Sequence, residues 1–381
     1  MIKTNELIGL TFFMSLSLIL AGCGPSPLYA ENAVSRFVIE LVDSGQIPGA
    51  VYLVAHGDEI LLHEAHGFRD IENKLPMQTN TLCWGASIMK PVTTATAMTL
   101  VGAGKLDLDE SVEQYLPQFK NQMGPEDRHY PATIRQLMSH SSGLGNPPSR
   151  IKLWPHCAAL HPSWLAQDLE DIVDAIAKAR LSFVPGAKVV YSNAAPFVLA
   201  RVCEAVSGQP WGQLVQTRIL NPGGMSDTHW WPRTERDRVA CIYLHEKDGS
   251  LTNIWRFDPD RVKTLRNMAA DGGLFYTVQD YYQFLRRFIN KDGQVLSTET
   301  VNTMLTEQAS GADGTYGLGW KLSNGTFQHG GSGGTFAFGH PASSTLGVFF
   351  FQMRTVDASR REQVRAQFVQ VCLREYGGNG Q

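Results

Sequence analysis

Cysteine is sparse in this chain: six residues in 381, and no two of them form a C-x-x-C pair. That leaves out zinc ribbons and thioredoxin-type redox motifs, which need two thiols one turn apart. The eleven histidines contain no His-Glu-x-x-His pattern, so the usual metallohydrolase signature is missing and no metal or organic cofactor is implied. An excess of one charge is lacking too: 33 Lys and Arg stand against 36 Asp and Glu, a net charge of −3. Without long basic runs, that balance argues against a nucleic-acid partner or a polybasic membrane footprint. Neither solenoid-length repeats nor low-complexity tracts occur. The apolar run from Leu10 to Leu20 is too short for a comfortable membrane span. What remains is 43% hydrophobic and 10% aromatic, a globular composition with enough apolar residues for one large domain or two sharing a core.

Lys3, the Leu10 to Leu20 run and the small residues Ala21 and Gly22 read as a targeting segment over residues 1–22. Leu20-Ala21-Gly22-Cys23 resembles the lipobox of bacterial lipoproteins. The resemblance implies cleavage before Cys23, lipidation of its thiol, a tether over residues 23–30, and an exported domain held at a membrane in the periplasm or on the cell surface. The alternative is an ordinary secretory signal with Cys23 incidental. Cys83, Cys157, Cys203, Cys241 and Cys372 are widely spaced and are expected as buried thiols.

Beyond the tether, Val34, Phe37, Val38 and Leu41 fall at helical spacing, and Gly45 ends that helix. Ala50–Ala55 and Glu59–Ala65 are strand-like runs joined through His56-Gly57-Asp58, a hairpin signal. From Ser87 to Pro222 the texture is helical, with Val92–Val101, Ile134–Met138, Asp168–Ala179 and Phe197–Val206 the clearest segments. Strand signals return at Leu274–Thr277, Gly317–Leu322, Gly325–His329, Thr335–Gly339 and Leu346–Met353. A last helix, Ser359–Tyr376, carries Val364, Phe368 and Val371 on one stripe. Strands at both ends with helices between them predict an α/β (α+β) fold. Its sandwich comes from residues 31–80 and 235–381, a mainly helical part from 81–234, and its site from the cleft between them.

Three short stretches carry chemistry. Ser87 and Lys90 stand three apart at the start of a helix, so they share a face and can touch. Pro91 places Ser87 at or just before the first turn, where free backbone N–H groups face developing negative charge. A serine hydroxyl needs a neighbour to take its proton, and a lysine kept dry by Cys83, Trp84, Ile88, Met89 and Val92 can do so. Ser-x-x-Lys alone is weak: Ser149-Arg150-Ile151-Lys152 has the same spacing in a proline-rich loop from Asn146 to Pro162. Tyr191-Ser192-Asn193 offers a phenol for proton transfer and a carboxamide to hold a carbonyl or an amine. In His329-Gly330-Gly331-Ser332-Gly333-Gly334 the glycines would let substrate approach a strand closely; a plain turn remains open, and a phosphate loop is disfavoured because no helix follows.

In that order, Ser-x-x-Lys, Tyr-x-Asn and a glycine-rich strand resemble the serine β-lactamase-like superfamily. The resemblance is to its branch of class C β-lactamases, D-alanyl-D-alanine carboxypeptidases and family VIII carboxylesterases. Gly104-Lys105-Leu106-Asp107-Leu108-Asp109, His140-Ser141-Ser142-Gly143-Leu144, Pro222-Gly223-Gly224-Met225 and Gly272-Gly273-Leu274-Phe275 fit as well, over Ile47 to Met353. The resemblance implies a β-lactamase/transpeptidase-like fold, with an antiparallel sheet flanked by helices. It also implies Ser87 as acylated nucleophile, Lys90 and Tyr191 as general base and acid, Asn193 in their network, and the N–H groups of Ser87 and Ser332 as oxyanion hole. One departure stands out. Where β-lactamases and carboxypeptidases typically carry Lys-Thr-Gly, this chain has His329-Gly330-Gly331, replacing a permanent cation with a group expected near half-neutral at pH about 6.5. The reading is a carboxylesterase-like serine hydrolase acting on a small ester, amide or peptide. The alternatives are a β-lactamase or D-amino-acid peptidase, and a sensor lipoprotein that acylates without turnover.

Overall fold

The computed structural model describes residues 32–145, 168–261 and 268–378. The chain opens with helix α1 (Ala33–Asp43), the hairpin β1 (Gly49–His56) and β2 (Glu59–Asp70), and the short strands β3 (Leu75–Pro76) and β4 (Cys83–Trp84). Helices α2 (Met89–Gly102), α3 (Val112–Tyr115), α4 (Ile134–Met138), α5 (Leu169–Ala177) and α6 (Ala194–Ser207) follow. Then come β5 (Ile242–His245), β6 (Leu251–Trp255), β7 (Phe275–Tyr276), α7 (Val278–Asn290) and α8 (Thr298–Leu305). The last part holds β8 (Ala309–Gly311), β9 (Gly314–Tyr316), β10 (Lys321–Ser323), β11 (Thr326–Gly331), β12 (Thr335–His340), β13 (Thr345–Phe350), β14 (Met353–Thr355) and α9 (Ala358–Tyr376).

Nine strands form one sheet in the order β3-β2-β1-β13-β12-β11-β10-β9-β8. The two ends of the chain meet where β1 pairs antiparallel with β13, Val51 opposite Phe350. Side chains alternate across a strand, so β1 serves two cores at once. Tyr52 and Val54 join Phe336, Phe338 and Phe349 beneath α1 and α9, which contribute Val34, Val38, Val364 and Phe368. Val51 and Leu53 join Val348 and Phe350 on the opposite face, against Tyr281, Phe284, Leu285 and Phe288 of α7. Helices α2 and α6 pack together in that second core. With both faces covered, β1 and β13 are buried almost throughout and read as unbroken apolar runs.

Two strand expectations change. Gly317–Leu322 is not one strand, because Gly319 takes φ +77° and its N–H bonds to Met138 O at 2.9 Å. Leu318 and Trp320 bury fully in the turn between β9 and β10. Leu346–Met353 is likewise broken. Gln352 adopts φ +40°, and Met353 leaves the large sheet to pair in parallel with β5, beside β6, in a sheet the pattern did not reveal.

Cys83, Cys203, Cys241 and Cys372 are buried thiols. Cys23, Cys157, the targeting segment and the Asn146 to Pro162 loop lie outside the described residues. Among those described, no helix is long and apolar enough to cross a membrane.

Candidate active site

Ser87 sits in a single 3₁₀ turn, Ala86–Ile88, that runs directly into α2. Every other residue from Thr81 to Met98 is buried, so Ser87 is the one opening in that wall. Ala86, just before it, has φ +48°, a left-handed conformation that costs a non-glycine residue about 1 kcal/mol or more. The surroundings hold it there. Gly85 N–H donates to Leu274 O at 2.9 Å, the Thr335 hydroxyl donates to Gly85 O at 2.6 Å, and Trp84 Nε1–H donates to Gly272 O at 2.6 Å.

Lys90 is 2% exposed, and its amine donates to Ser87 Oγ at 3.0 Å and to the main-chain oxygen of Asp271 at 3.1 Å. The spacing expected from a helical turn is met. Lys90 Nζ also stands 5.0 Å from the centre of the Tyr191 ring. Tyr191 is held from several sides: its N–H donates to Asp313 Oδ2 at 2.8 Å, and its ring lies 4.5 Å from that of His140. His140 itself has φ +57° and its Nδ1 accepts the Ser192 N–H at 3.2 Å, which fixes the proton on Nε2. Burial, aided by the field of Lys90, lowers the His140 pKa to about 3. Asn193 heads α6, half-buried, and it is Ser192 whose hydroxyl accepts the Ala195 N–H at 3.1 Å.

His329, Gly330 and Gly331 end β11, next to Ser332. β10 pairs with β11 only at Thr326, Phe327 and Gln328, which leaves the His329 to Gly331 edge open on that side. The glycines are sterically required. A Cβ on Gly331 would collide with Gly85 O and Thr335 Oγ1, and one on Gly330 with the guanidinium of Arg365. His329 corrects an expectation: it is 5% exposed, and burial together with the fields of Lys90, His140 and Arg365 drives its pKa well below 6.5. It is a neutral imidazole, not a half-charged one. Its Nδ1–H donates to Gly330 O at 3.2 Å, so Nε2 is a bare acceptor, with no hydrogen-bond partner among the described residues.

These groups converge. Ser87, Tyr191, His329, Gly330, Gly331 and Ser332 line one cavity of about 680 Å³. Its far wall is α9, which brings Arg361, Arg365, Ala366 and Val369, and Phe336 lies beneath. Arg365 is pinned through its two terminal nitrogens, donating to Gly331 O, to Thr335 O at 3.0 Å and to Glu362 at 2.6 Å. A half-exposed hydroxyl, a buried amine at 3.0 Å and an open strand edge can together bind a carbonyl compound and activate a nucleophile toward it.

A comparison with family models decides the lineage: the Beta-lactamase model matches residues 34–370. The chain belongs to the beta-lactamase family. Its resemblance to β-lactamase-like serine hydrolases is thereby borne out, as are the enzyme class and the antiparallel-sheet fold. Among relatives, Protein Rv1367c of Mycobacterium tuberculosis is 33% identical over 291 residues, 71% of this chain and 70% of that protein. Esterase EstB of Burkholderia gladioli is 29% identical over 298 residues, covering 72% and 74%. Among solved structures, "EstCE1, a hydrolase with promiscuous acyltransferase activity" superposes with a TM-score of 0.79 at 24% identity, over 88% of this chain and 97% of that one, which shows a shared fold.

The sequence reading of this beta-lactamase-family chain missed four participants. His140 was noted only as part of a matching stretch; its place against Tyr191 depends on a left-handed backbone that sequence does not display. Arg361 and Arg365 sit on a helix far along the chain and reach the site only because α9 packs across β11 and β12. Asp271 immediately precedes a Gly-Gly pair that the pattern did mark, but nothing local signalled its burial.

Proposed function

We propose that the protein is a carboxylesterase-type hydrolase that forms an acyl-enzyme on Ser87. The observation that carries the reading is the neutral, buried His329 beside Ser87, at the strand position where a carboxylate-binding cation would stand. A site that lacks a cation there suits an uncharged ester better than a substrate ending in a carboxylate.

In this mechanism Lys90 acts as the general base and takes the Ser87 proton across their 3.0 Å bond as Oγ attacks the carbonyl carbon. The N–H groups of Ser87 and Ser332 receive the oxyanion, an interaction worth about 10²–10³ in rate. Tyr191 gives its phenol proton to the leaving alcohol and is re-protonated by the Lys90 ammonium, and water then repeats the sequence in reverse to release the acid. Asn193 supports the Lys90 and Tyr191 arrangement from the start of α6.

The test compares p-nitrophenyl butyrate with nitrocefin on the purified protein. We expect kcat/KM at least about tenfold higher for the ester. Faster nitrocefin turnover would sink the esterase reading in favour of a β-lactamase. A second reading, hydrolysis of D-configured peptides, draws on Arg361, a cavity-lining cation whose NH1 lies 3.4 Å from Ser332 O and whose Nε stands 3.7 Å from the Glu362 carboxylate. Release of D-alanine from a D-Ala-D-Ala peptide at a rate exceeding ester cleavage would favour it.

The targeting segment and the Cys23 lipobox support an exported, lipid-anchored location. Metabolic labelling with palmitate should mark the wild type and spare Cys23→Ser; equal labelling of both would refute the anchor.

A further inference from the structure

The segment from Ala270 to Leu274 is fastened to the nucleophile segment contact by contact. Thr93 Oγ1–H donates to Ala270 O at 2.6 Å, Lys90 Nζ to Asp271 O at 3.1 Å, Trp84 Nε1–H to Gly272 O at 2.6 Å, and Gly85 N–H to Leu274 O at 2.9 Å. Just beyond, β4 and β7 pair, Trp84 opposite Phe275. Gly272 packs tightly on the nucleophile turn, where a Cβ would press on the backbone of Ala86 at 3.1 Å. These bonds hold the main-chain oxygen of Asp271 against Lys90, so its carboxyl lies within a few bonds of the amine.

Its carboxyl is an anomaly in terms of stability. Asp271 is 6% exposed, and its Oδ1 has no hydrogen-bond partner among the described residues. Burying a carboxylate without full hydrogen bonding costs several kcal/mol, and a small apolar residue would fill the site at no such cost. Burial pushes the carboxyl above its ordinary range, while the field of Lys90 and its own N–H pull it back. Lys90 is the one charged side chain that acts on it appreciably.

We infer that Asp271 is a positioning residue acting through Lys90: its main-chain oxygen fixes the amine against Ser87, and its carboxylate balances the ammonium that forms there. The inference rests on Ser87 being the nucleophile. When Oγ bonds to the substrate carbonyl carbon, the serine proton passes to the Lys90 amine; the positive charge so created has Asp271 on one side and, on the others, Ser87, the Tyr191 ring and the neutral imidazoles of His140 and His329. Among these neighbours Asp271 is the only carboxyl, and so the one group that can supply a compensating negative charge in the buried site. The arrangement parallels the buried aspartate that stabilises an imidazolium in serine proteases, with lysine as the base.

The experiment is the rate of fluorophosphonate labelling against pH for wild type and Asp271→Asn, read by intact mass, with melting temperatures alongside. In labelling, Ser87 Oγ bonds to phosphorus, fluoride leaves, and the proton goes to Lys90, so the proton step is isolated from acyl-enzyme hydrolysis. Asparagine keeps the shape and the main-chain contact and removes only the charge. We expect the plateau rate to fall at least about tenfold, with the melting temperature unchanged or higher. An opposite charge favours the protonated amine, so its removal should also move the half-maximal pH downward. A folded Asp271→Asn with wild-type plateau and midpoint overturns the inference and leaves the Ser87 reading intact. Absence of labelling in the wild type overturns the Ser87 reading instead. Should Asp271→Asn not fold, a carbon-13 titration of the Asp271 carboxyl in wild type and Lys90→Met decides the matter: the midpoint should rise without the amine, and an identical midpoint overturns the coupling.

Discussion

Ser87→Ala should lose on the order of 10⁴–10⁶ in kcat toward p-nitrophenyl esters, and the fluorophosphonate adduct should vanish from its mass spectrum. The size of the effect follows from the absence of a substitute. Ser87 is the only side chain between Thr81 and Met98 that opens to the cavity, and the only hydroxyl there bonded to Lys90, so no other hydroxyl of that segment can replace it. The protein should remain folded, because the side chain lost is small and half-exposed, and its bond is to an amine that keeps its second contact with Asp271 O. Circular dichroism of the variant would confirm this. A variant that retains labelling and turnover would show that a different residue is acylated, and the assignment of the whole constellation would fall with it.

The second large effect separates the two proton carriers. Lys90→Met and Tyr191→Phe should each lose about 10²–10⁴ in kcat/KM, but with different dependence on the leaving group. p-Nitrophenolate departs readily without a proton, whereas an alkoxide or an amine does not. Tyr191→Phe should therefore be mild on p-nitrophenyl butyrate and severe on an alkyl ester or amide, while Lys90→Met should be severe on all three. Neither change should damage the fold. Phenylalanine keeps the ring that rests 4.5 Å from His140, and methionine fills the buried lysine volume without a charge to desolvate. Equal losses for Tyr191→Phe on aryl and alkyl esters would remove it from the role of acid.

The site stands on strain and fit that are visible only in three dimensions. Ala86 takes a left-handed backbone beside the nucleophile, and His140 does the same beside Tyr191. Glycines 85 and 331 each face a neighbour too close for a Cβ and Gly272 packs tightly on Ala86, which is how the Gly272 segment and the end of β11 come close against the turn that carries Ser87. Stored strain of this kind persists where surrounding contacts over-determine it. Here the hydrogen bonds from Thr335 and Trp84, together with that of Gly85 N–H to Leu274 O, do so.

Much of this protein was already determined by local sequence. Helical spacing and Pro91 put Ser87 and Lys90 on one face, and the structure brings them to 3.0 Å. The apolar stripe of Val364, Phe368 and Val371 forecast a covering helix, and α9 buries all three. The first hairpin falls where its turn signal lay. Periodicity and punctuation suffice in these cases because the interactions lie within a few residues of one another. Other features depended on long-range packing. The ionisation of His329 was misjudged because it reflects burial and the fields of Lys90, His140 and Arg365, which approach from distant parts of the chain. The strand break at Gly319 arises where the chain turns between β9 and β10, that at Gln352 where it passes from one sheet to another, and the main-chain oxygen of Asp271 meets Lys90 only because Ala270 to Leu274 is bonded against the start of α2. Sequence determined which groups this protein possesses and the local geometry of its nucleophile; tertiary structure decided their charge states and partners, because desolvation and Coulomb fields depend on distance in space and not on distance along the chain.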